Sequence, residues 1–306
     1  MEYTAQLFKC VFGSHLYGTA NEKSDHDFKA IHKADLRSIL LGKDKDNITQ
    51  ATNKKTRNSS EDVDFESKEL RTFINDCLTG QTYALDLLFV PDSLVMNTSN
   101  TWKDILSKKD KLITNNVTPF VGYCKGQAIK YSKKGATVKE LDNLLRLIKG
   151  NNFKFVKDLT GHFQFEQGDT VKVKPSNGEM YLEVGNSSYP FNRTMDLVTK
   201  SIQAKFDEYG ERALSAVVDG ADLKAFYHAY RICWELEELL TNGFLKFPSE
   251  KVQTLRDIRA GKFTRDNLEK KLTDEIERVL EIPNTLPEPD RAYWDDWLTE
   301  EYLGCK

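Results

Sequence analysis

The five cysteines, Cys10, Cys77, Cys124, Cys233 and Cys305, stand far apart. None forms a Cys-x-x-Cys or Cys/His pair with the spacing of a zinc site. Their odd number, without a leader-like start to the chain, predicts reduced thiols in a cytosolic setting rather than a disulfide frame. No stretch approaches 18 apolar residues, so no membrane-spanning helix is expected. Neither sign of charge dominates, with 44 Lys and Arg against 47 Asp and Glu and a formal net charge of −3. Any site for a polyanion must therefore be local rather than global. Internal repeats and low-complexity tracts are also lacking.

The chain does have the composition of a globular protein, 39% hydrophobic and 30% charged. Its 306 residues suffice for two domains at roughly 100–200 residues each. Charge is unevenly placed. From Lys125 to Lys157 nine basic residues face two acids, Glu140 and Asp142, with Asp158 next in line; from Asp274 to Glu301 ten acids face Arg278 and Arg291. Such runs are usually solvated helix faces, but the basic one also suits a phosphate-binding surface.

The sequence predicts an α/β (α+β) protein. A small mixed-sheet domain over residues 1–97 precedes a mainly helical domain over 98–306, with a β-rich insertion at 153–190. Phe28 to His32 and Ala84 to Val90 read as short buried strands, and Leu70, Phe73, Ile74, Cys77 and Leu78 fall at helical spacing. Residues 53–61 read as a polar loop. Thr118-Pro119 marks a helix start, with a stop expected at Gly135, and the Thr137/Glu140 capping pattern opens a second helix ending near Gly150. Alternation in FQFE, TVKVK and MYLEV, with turns at Gly168 and Asn177-Gly178, predicts β-hairpins. Asp222 is placed to cap a helix that stops at Gly243, and further helices are expected near 250–259 and 266–280.

The segment that points to chemistry is Gly13-Ser14-His15-Leu16-Tyr17-Gly18-Thr19-Ala20, followed by Ser24-Asp25-His26-Asp27-Phe28. Glycine lets backbone approach phosphate oxygens closely, and Ser14 adds a hydroxyl donor. Residues two apart in a strand share a face, so Asp25 and Asp27 converge. Paired hard carboxylates suit Mg²⁺, and a third on a neighbouring strand would complete a two-metal clamp. Asp86, alone in the apolar run Tyr83 to Phe89, is the first choice for that third acid, because ligation would offset the cost of its burial. Asp64, in Glu61-Asp62-Val63-Asp64-Phe65, is held in reserve. His15 and His26 flank the set, as ordinary loop histidines or as phosphate contacts. A bare Asp-x-Asp or Gly-Ser carries little weight; the ordered set of turn, spacer, acid pair, strand and helix carries more.

The stretch GSHLYGTANEKSDHDFKAI resembles the nucleotidyltransferase signature of the DNA polymerase β superfamily, and Asp86 in ALDLLFVP resembles that superfamily's third carboxylate. More closely, the chain is similar to the RlaP-type predicted nucleotidyltransferases of bacteria and their phages. That likeness extends through Phe120 to Tyr123 with Gln127, Lys130 to Gly135, Ala225 to Arg231, Gly243 to Pro248 and Ile258 to Gly261. Position 86 is Asp where that subfamily carries Glu.

The resemblance implies transfer of a nucleoside monophosphate from an NTP to an acceptor hydroxyl, with release of pyrophosphate, in a bacterial or phage-infected cytosol. Two Mg²⁺ ions, or Mn²⁺ in their place, would be held by Asp25, Asp27 and Asp86, with Asp86 as general base. Gly13 and Ser14 would hold the β- and γ-phosphates. Tyr123, Gln127, Lys130 and Lys134 would reach phosphate, ribose or base, or else form a solvated helix face. Arg231 is a further phosphate-binding candidate, with Tyr227 and His228 as weaker ones. RNA, such as a tRNA end, is the favoured acceptor on the strength of the basic run; a protein hydroxyl and a small molecule are the alternatives. A non-catalytic nucleotide- or RNA-binding module is the competing class.

Overall fold

The computed structural model describes residues 5–22, 24–52, 61–159, 162, 171–176, 178–185, 187–208 and 223–304, excepting the side chains of Lys125 and of residues 127–137. In chain order the first elements are β1 (Ala5–Val11), α1 (Gly13–Leu16), β2 (His26–Lys33), α2 (Leu36–Leu40), β3 (Asn47–Ala51), β4 (Val63–Glu69), α3 (Leu70–Leu78), α4 (Thr82–Leu87), β5 (Val95–Thr98) and α5 (Asn100–Ser107). There follow α6 (Thr118–Lys149), β6 (Val171–Ser176), β7 (Glu179–Val184), β8 (Ser187–Pro190), α7 (Met195–Glu208), α8 (Leu223–Asn242), α9 (Val252–Arg259), α10 (Arg265–Leu280) and α11 (Arg291–Leu303).

Two compact units emerge, one of residues 1–125 with 227–306, the other of residues 126–226. The boundary expected near residue 97 falls in β5, inside the first unit. That unit is a mixed α/β structure around a five-stranded sheet of order β3-β4-β2-β1-β5. Its strands pair antiparallel except β2 with β4, which run parallel. The parallel pair matters for function, because it brings residues far apart in sequence into register without a hairpin.

The core of this unit mixes both ends of the chain. Phe8 stacks on Trp102 at 4.2 Å, and Phe73 packs beside the same indole. Ile232, Leu236 and Leu239 of α8, with Val279, Trp294 and Trp297, belong to the same buried cluster. Local caps set the helix starts: Glu69 accepts from the Arg71 amide to open α3, and Ser99 from the Trp102 amide to open α5. The second unit has its own core, in which Leu141, Leu144 and Ile148 of α6 meet Val171, Leu182, Val184, Val198 and Ile202.

Several expectations are corrected. Ala84 to Val90 is not a strand: α4 covers Thr82–Leu87, with Ala84, Leu85, Asp86 and Leu87 all buried. An apolar run buried on every side carries no period, so strand and helix look alike in sequence, and Ala and Leu favour the helix. The helix expected to stop at Gly135 continues to Lys149 as α6; an interior glycine costs only about 1 kcal/mol, which a long helix absorbs. β4 forms just after the expected polar loop, over a stretch in which the sequence predicts no element, since its Asp, Glu, Lys and Ser are poor strand formers. The hairpins predicted in the insertion appear as the antiparallel sheet β6-β7-β8. The FQFE segment, Gly168, Asn177 and the Asp222 cap lie outside the described residues.

Candidate metal centre

Asp25 ends the loop before β2, and Asp27 is the second residue of that strand. In the parallel pairing of β2 with β4, Asp27 is the register partner of Asp64. Register partners on adjacent strands project from the same face about 4.8 Å apart, while the period of two puts Asp25 on the face of Asp27. One carboxylate oxygen from each of Asp25, Asp27 and Asp64 lies within 4.8 Å of the others, and all three residues are half-buried. Three anions so close repel one another in any medium poorer than bulk water, and a divalent cation relieves that repulsion. All three donors are hard oxygens, the set that suits Mg²⁺ or Mn²⁺ rather than zinc.

The next rung of the same face is charge-paired. Lys29 is opposite Glu66 and forms an ion pair with it, and Lys68 lies 3.5 Å from the same carboxylate. Burial pushes the Glu66 carboxyl up, but the two lysines outweigh it and leave it below its ordinary range. Lys29 also lies 5.6 Å from the Phe12 ring centroid and 5.1 Å from that of Tyr83, which fixes it between the sheet and its neighbours.

The Gly-Ser turn sits against this face. Phe12 donates its amide to the Asp27 carbonyl at 2.8 Å, tying the turn to β2. Gly13 has φ of +57°, and a Cβ built on it would lie 1.8 Å from Asp27 Oδ2. Only glycine permits both the left-handed backbone and that approach. Buried Ser14 Oγ and His15 Nε2 have no protein hydrogen-bond partner. The His15 ring stacks on His26 at 5.1 Å, which places two imidazoles beside the acid pair.

Asp86 is elsewhere. It is 0% exposed on α4, and its Oδ2 accepts from the Tyr17 hydroxyl at 2.7 Å and stands 3.3 Å from Arg231 Nη1. The acid that joins Asp25 and Asp27 is therefore Asp64 and not Asp86. The reason is topological, since β4 supplies the parallel neighbour of β2 and the run around Asp86 is helical. Arg231, expected at phosphate, is buried between Asp86 and Glu235, whose Oε1 lies 2.6 Å from Nη1. Burial opposes the charge of Arg231, yet Glu235, Tyr17 and Asp86 outweigh it and keep the guanidinium ionised. Burial pushes both Asp86 and Glu235 upward, against the pull of Arg231. With two acids and one cation out of water, the cluster is balanced when one carboxyl retains its proton.

Tyr123 lies on α6 and packs against the core of the first unit. Gln127, Lys130 and Lys134 are on the same helix, with side chains outside the described residues. Sequence reasoning missed Tyr17 as a structural centre and ranked Asp64 too low. The available signal was the alternation of Asp64, Glu66 and Lys68 with Val63, Phe65 and Ser67.

No protein-family model matches the chain. Over 326 aligned residues it is 28% identical to the "Uncharacterized 38.9 kDa protein in nrdC-mobD intergenic region" of Enterobacteria phage T4, the alignment covering 97% of each chain. Among solved structures, that of a nucleotidyltransferase-like protein from Exiguobacterium sibiricum 255-15 aligns over 90% of this chain and 72% of its own. Its sequence identity is 9% and the TM-score 0.24, a likeness that carries no argument about the site. Among the described residues no helix is long and apolar enough to cross a membrane.

Proposed function

We propose that this protein is a metal-dependent nucleotidyltransferase of the RlaP-like type, transferring a nucleoside monophosphate from an NTP to an acceptor hydroxyl. The observation that carries the reading is the convergence of Asp25, Asp27 and Asp64 beside a glycine that touches one of them. The fit to Mg²⁺ is one of donor chemistry, three hard carboxylates within 4.8 Å. When bound, such ions neutralise the triphosphate and lower the pKa of the acceptor hydroxyl.

The chain's own residues do the rest. Asp25 and Asp27 would hold the cation that accompanies the triphosphate. Asp64 takes the place first given to Asp86, as third ligand and as acceptor of the hydroxyl proton. Gly13 and Ser14 hold the β- and γ-phosphates, supported by the close approach at Gly13 and the unpartnered, buried Ser14 hydroxyl. The acceptor oxygen attacks the α-phosphorus, the bond to the β-phosphate breaks and pyrophosphate leaves. Positioned charge supplies most of the acceleration.

The acceptor class proposed is RNA, a tRNA end in the first instance, on the basis of the basic run from Lys125 to Lys157. Incubation with each α-labelled NTP, Mg²⁺ and cell lysate tests it. Label in RNA, falling steeply with salt, is the expected result; label in protein or in small metabolites reassigns the acceptor. Magnesium-dependent pyrophosphate release should vanish in the Asp25→Ala, Asp27→Ala double variant. No release from the unaltered protein with any NTP and a broad RNA pool would favour a non-catalytic binding module.

A further inference from the structure

We infer that Asp86 and Arg231 are positioning residues that shape the Gly13–Ala20 turn through Tyr17, touching neither substrate nor metal. Their catalytic consequence rests on the nucleotidyltransferase reading; their effect on the turn does not.

The turn has two sides. On one, Gly13 abuts Asp27, and Ser14 and His15 present polar atoms without protein partners. On the other, it is held by residues far away in sequence but in the same compact unit. The Tyr17 hydroxyl donates to Asp86 Oδ2 at 2.7 Å, and the Arg231 guanidinium lies 3.9 Å over the Tyr17 ring. Arg231 is also 3.3 Å from Asp86 Oδ2, so the three side chains close a triangle, which Glu235 braces from α8. Thr19 Oγ1 shares a hydrogen bond with the Tyr227 hydroxyl at 3.1 Å. Arg256 Nε donates to the Gly18 carbonyl at 3.0 Å, and Arg259 Nη1 to that of Thr19 at 3.5 Å. At Gly18, φ is +69° and a Cβ would lie 2.6 Å from Pro248 Cβ, so the segment before α9 presses directly on the turn.

A short loop with only its own amide bonds would sample many conformations, at an entropic cost each time it bound polyphosphate. Fixing it from behind removes that cost in advance. The centre of the clamp is buried and charge-assisted, so loss of one member leaves the others unpaired and is felt strongly. Asp86 suits this task because its engaged oxygen points a strong acceptor at Tyr17, and it is not among the three acids that converge.

The experiment compares Asp86→Asn, Asp86→Leu, Tyr17→Phe and Asp64→Asn in the full chain. Mn²⁺ affinity is measured without nucleotide by electron paramagnetic resonance, KM and kcat by pyrophosphate release, and amide hydrogen exchange at Thr19 and Ala20. Those two amides donate to the Ser14 carbonyl at 2.9 and 3.0 Å and so report the turn itself. In Asp86→Asn the amide side chain still offers Tyr17 an acceptor and leaves Arg231 paired with Glu235, so every readout should stay within about threefold of the unaltered protein. Asp86→Leu should speed exchange at Thr19 and Ala20 by about tenfold or more and raise the KM for NTP by a similar factor, with Mn²⁺ affinity unchanged. Asp64→Asn should do the reverse, weakening Mn²⁺ and leaving exchange alone.

The inference is overturned if Asp86→Asn loses Mn²⁺ as Asp64→Asn does, or if folded Asp86→Leu keeps normal exchange in the turn. Should Asp86→Leu fail to fold, Tyr17→Phe is decisive: exchange several-fold faster supports the clamp, and unchanged exchange ends it. If no form of the protein binds Mn²⁺ or releases pyrophosphate, the enzymatic reading falls, while the exchange comparison still decides the clamp.

Discussion

Replacing Gly13 with alanine adds one methyl group at the point where the turn meets the acids. The new Cβ would lie 1.8 Å from Asp27 Oδ2, 2.6 Å from its Cγ and 2.9 Å from its Cβ. Rotation about χ1 moves Oδ2 and Cγ away, but the Asp27 Cβ moves only with the backbone. Relief therefore requires β2 and the turn to part by a few tenths of an ångström, and the carboxylate to swing away from its position facing Asp64. Alanine at φ of +57° adds roughly 1–2 kcal/mol of backbone strain. The overpacking adds about 1–3 kcal/mol more. Misplacement of a reacting group by about 1 Å costs about 100-fold in rate, so pyrophosphate release should fall by about that factor. Urea unfolding should show a loss of roughly 2–5 kcal/mol, which leaves the protein folded unless its stability lies at the lower end of the usual range of about 5–15 kcal/mol. Titration of Mn²⁺ by calorimetry should show weakened binding in the folded variant. The double variant Gly13→Ala, Asp27→Gly should bind Mn²⁺ no worse than Asp27→Gly alone, since without a Cβ at position 27 the added methyl meets none of that side chain. A folded Gly13→Ala protein with normal Mn²⁺ affinity and normal turnover would refute the reasoning.

Other expectations concern stability and reactivity. Hydrogen bonds from Arg278 and Lys251 hold the Glu237 carboxyl down from its ordinary 4.5 to about 2. Since the folded-state value lies below the unfolded one, this contribution is complete above pH 4.5 and is lost as pH falls toward 2. Glu237→Gln should accordingly flatten that part of the acid decline in urea melts relative to the unaltered protein; an identical acid limb would count against the pairing. Burial pushes the Cys10 thiol up to about 12 and raises that of Cys77, while a hydrogen bond with Cys233, and then burial, raises that of Cys124. In a Cys305→Ser variant, thiol-specific reagents should label the four described cysteines only after unfolding, and fast labelling of the native protein at about pH 8 would contradict their burial.

Much of the site was legible because it is local. The left-handed glycine, the serine after it and the acid pair at period two all lie within fifteen residues of each other, where backbone sterics and strand alternation act without help from the rest of the chain. The α3 helix was equally plain, since its buried stripe of Leu70, Phe73, Ile74, Cys77 and Leu78 has the helical period. The β-hairpin character of the insertion was also plain, because alternation and a Gly-containing turn are short-range signals.

Pairing between distant strands is a different matter. Asp64 becomes the partner of Asp27 through the parallel register of β4 on β2, a contact whose loop closure no local propensity encodes. Asp86 misled because a buried acid in an apolar run can be compensated in two ways, by a metal or by a cation and a hydroxyl. The sequence alone determined which residues could form a glycine-serine turn and an acid pair. Only tertiary structure decided which third acid joins them and that Arg231, 145 residues from Asp86, is buried against that carboxylate. Covalent neighbours fix the first kind of fact, whereas the second depends on the packing of a core shared by both ends of the chain.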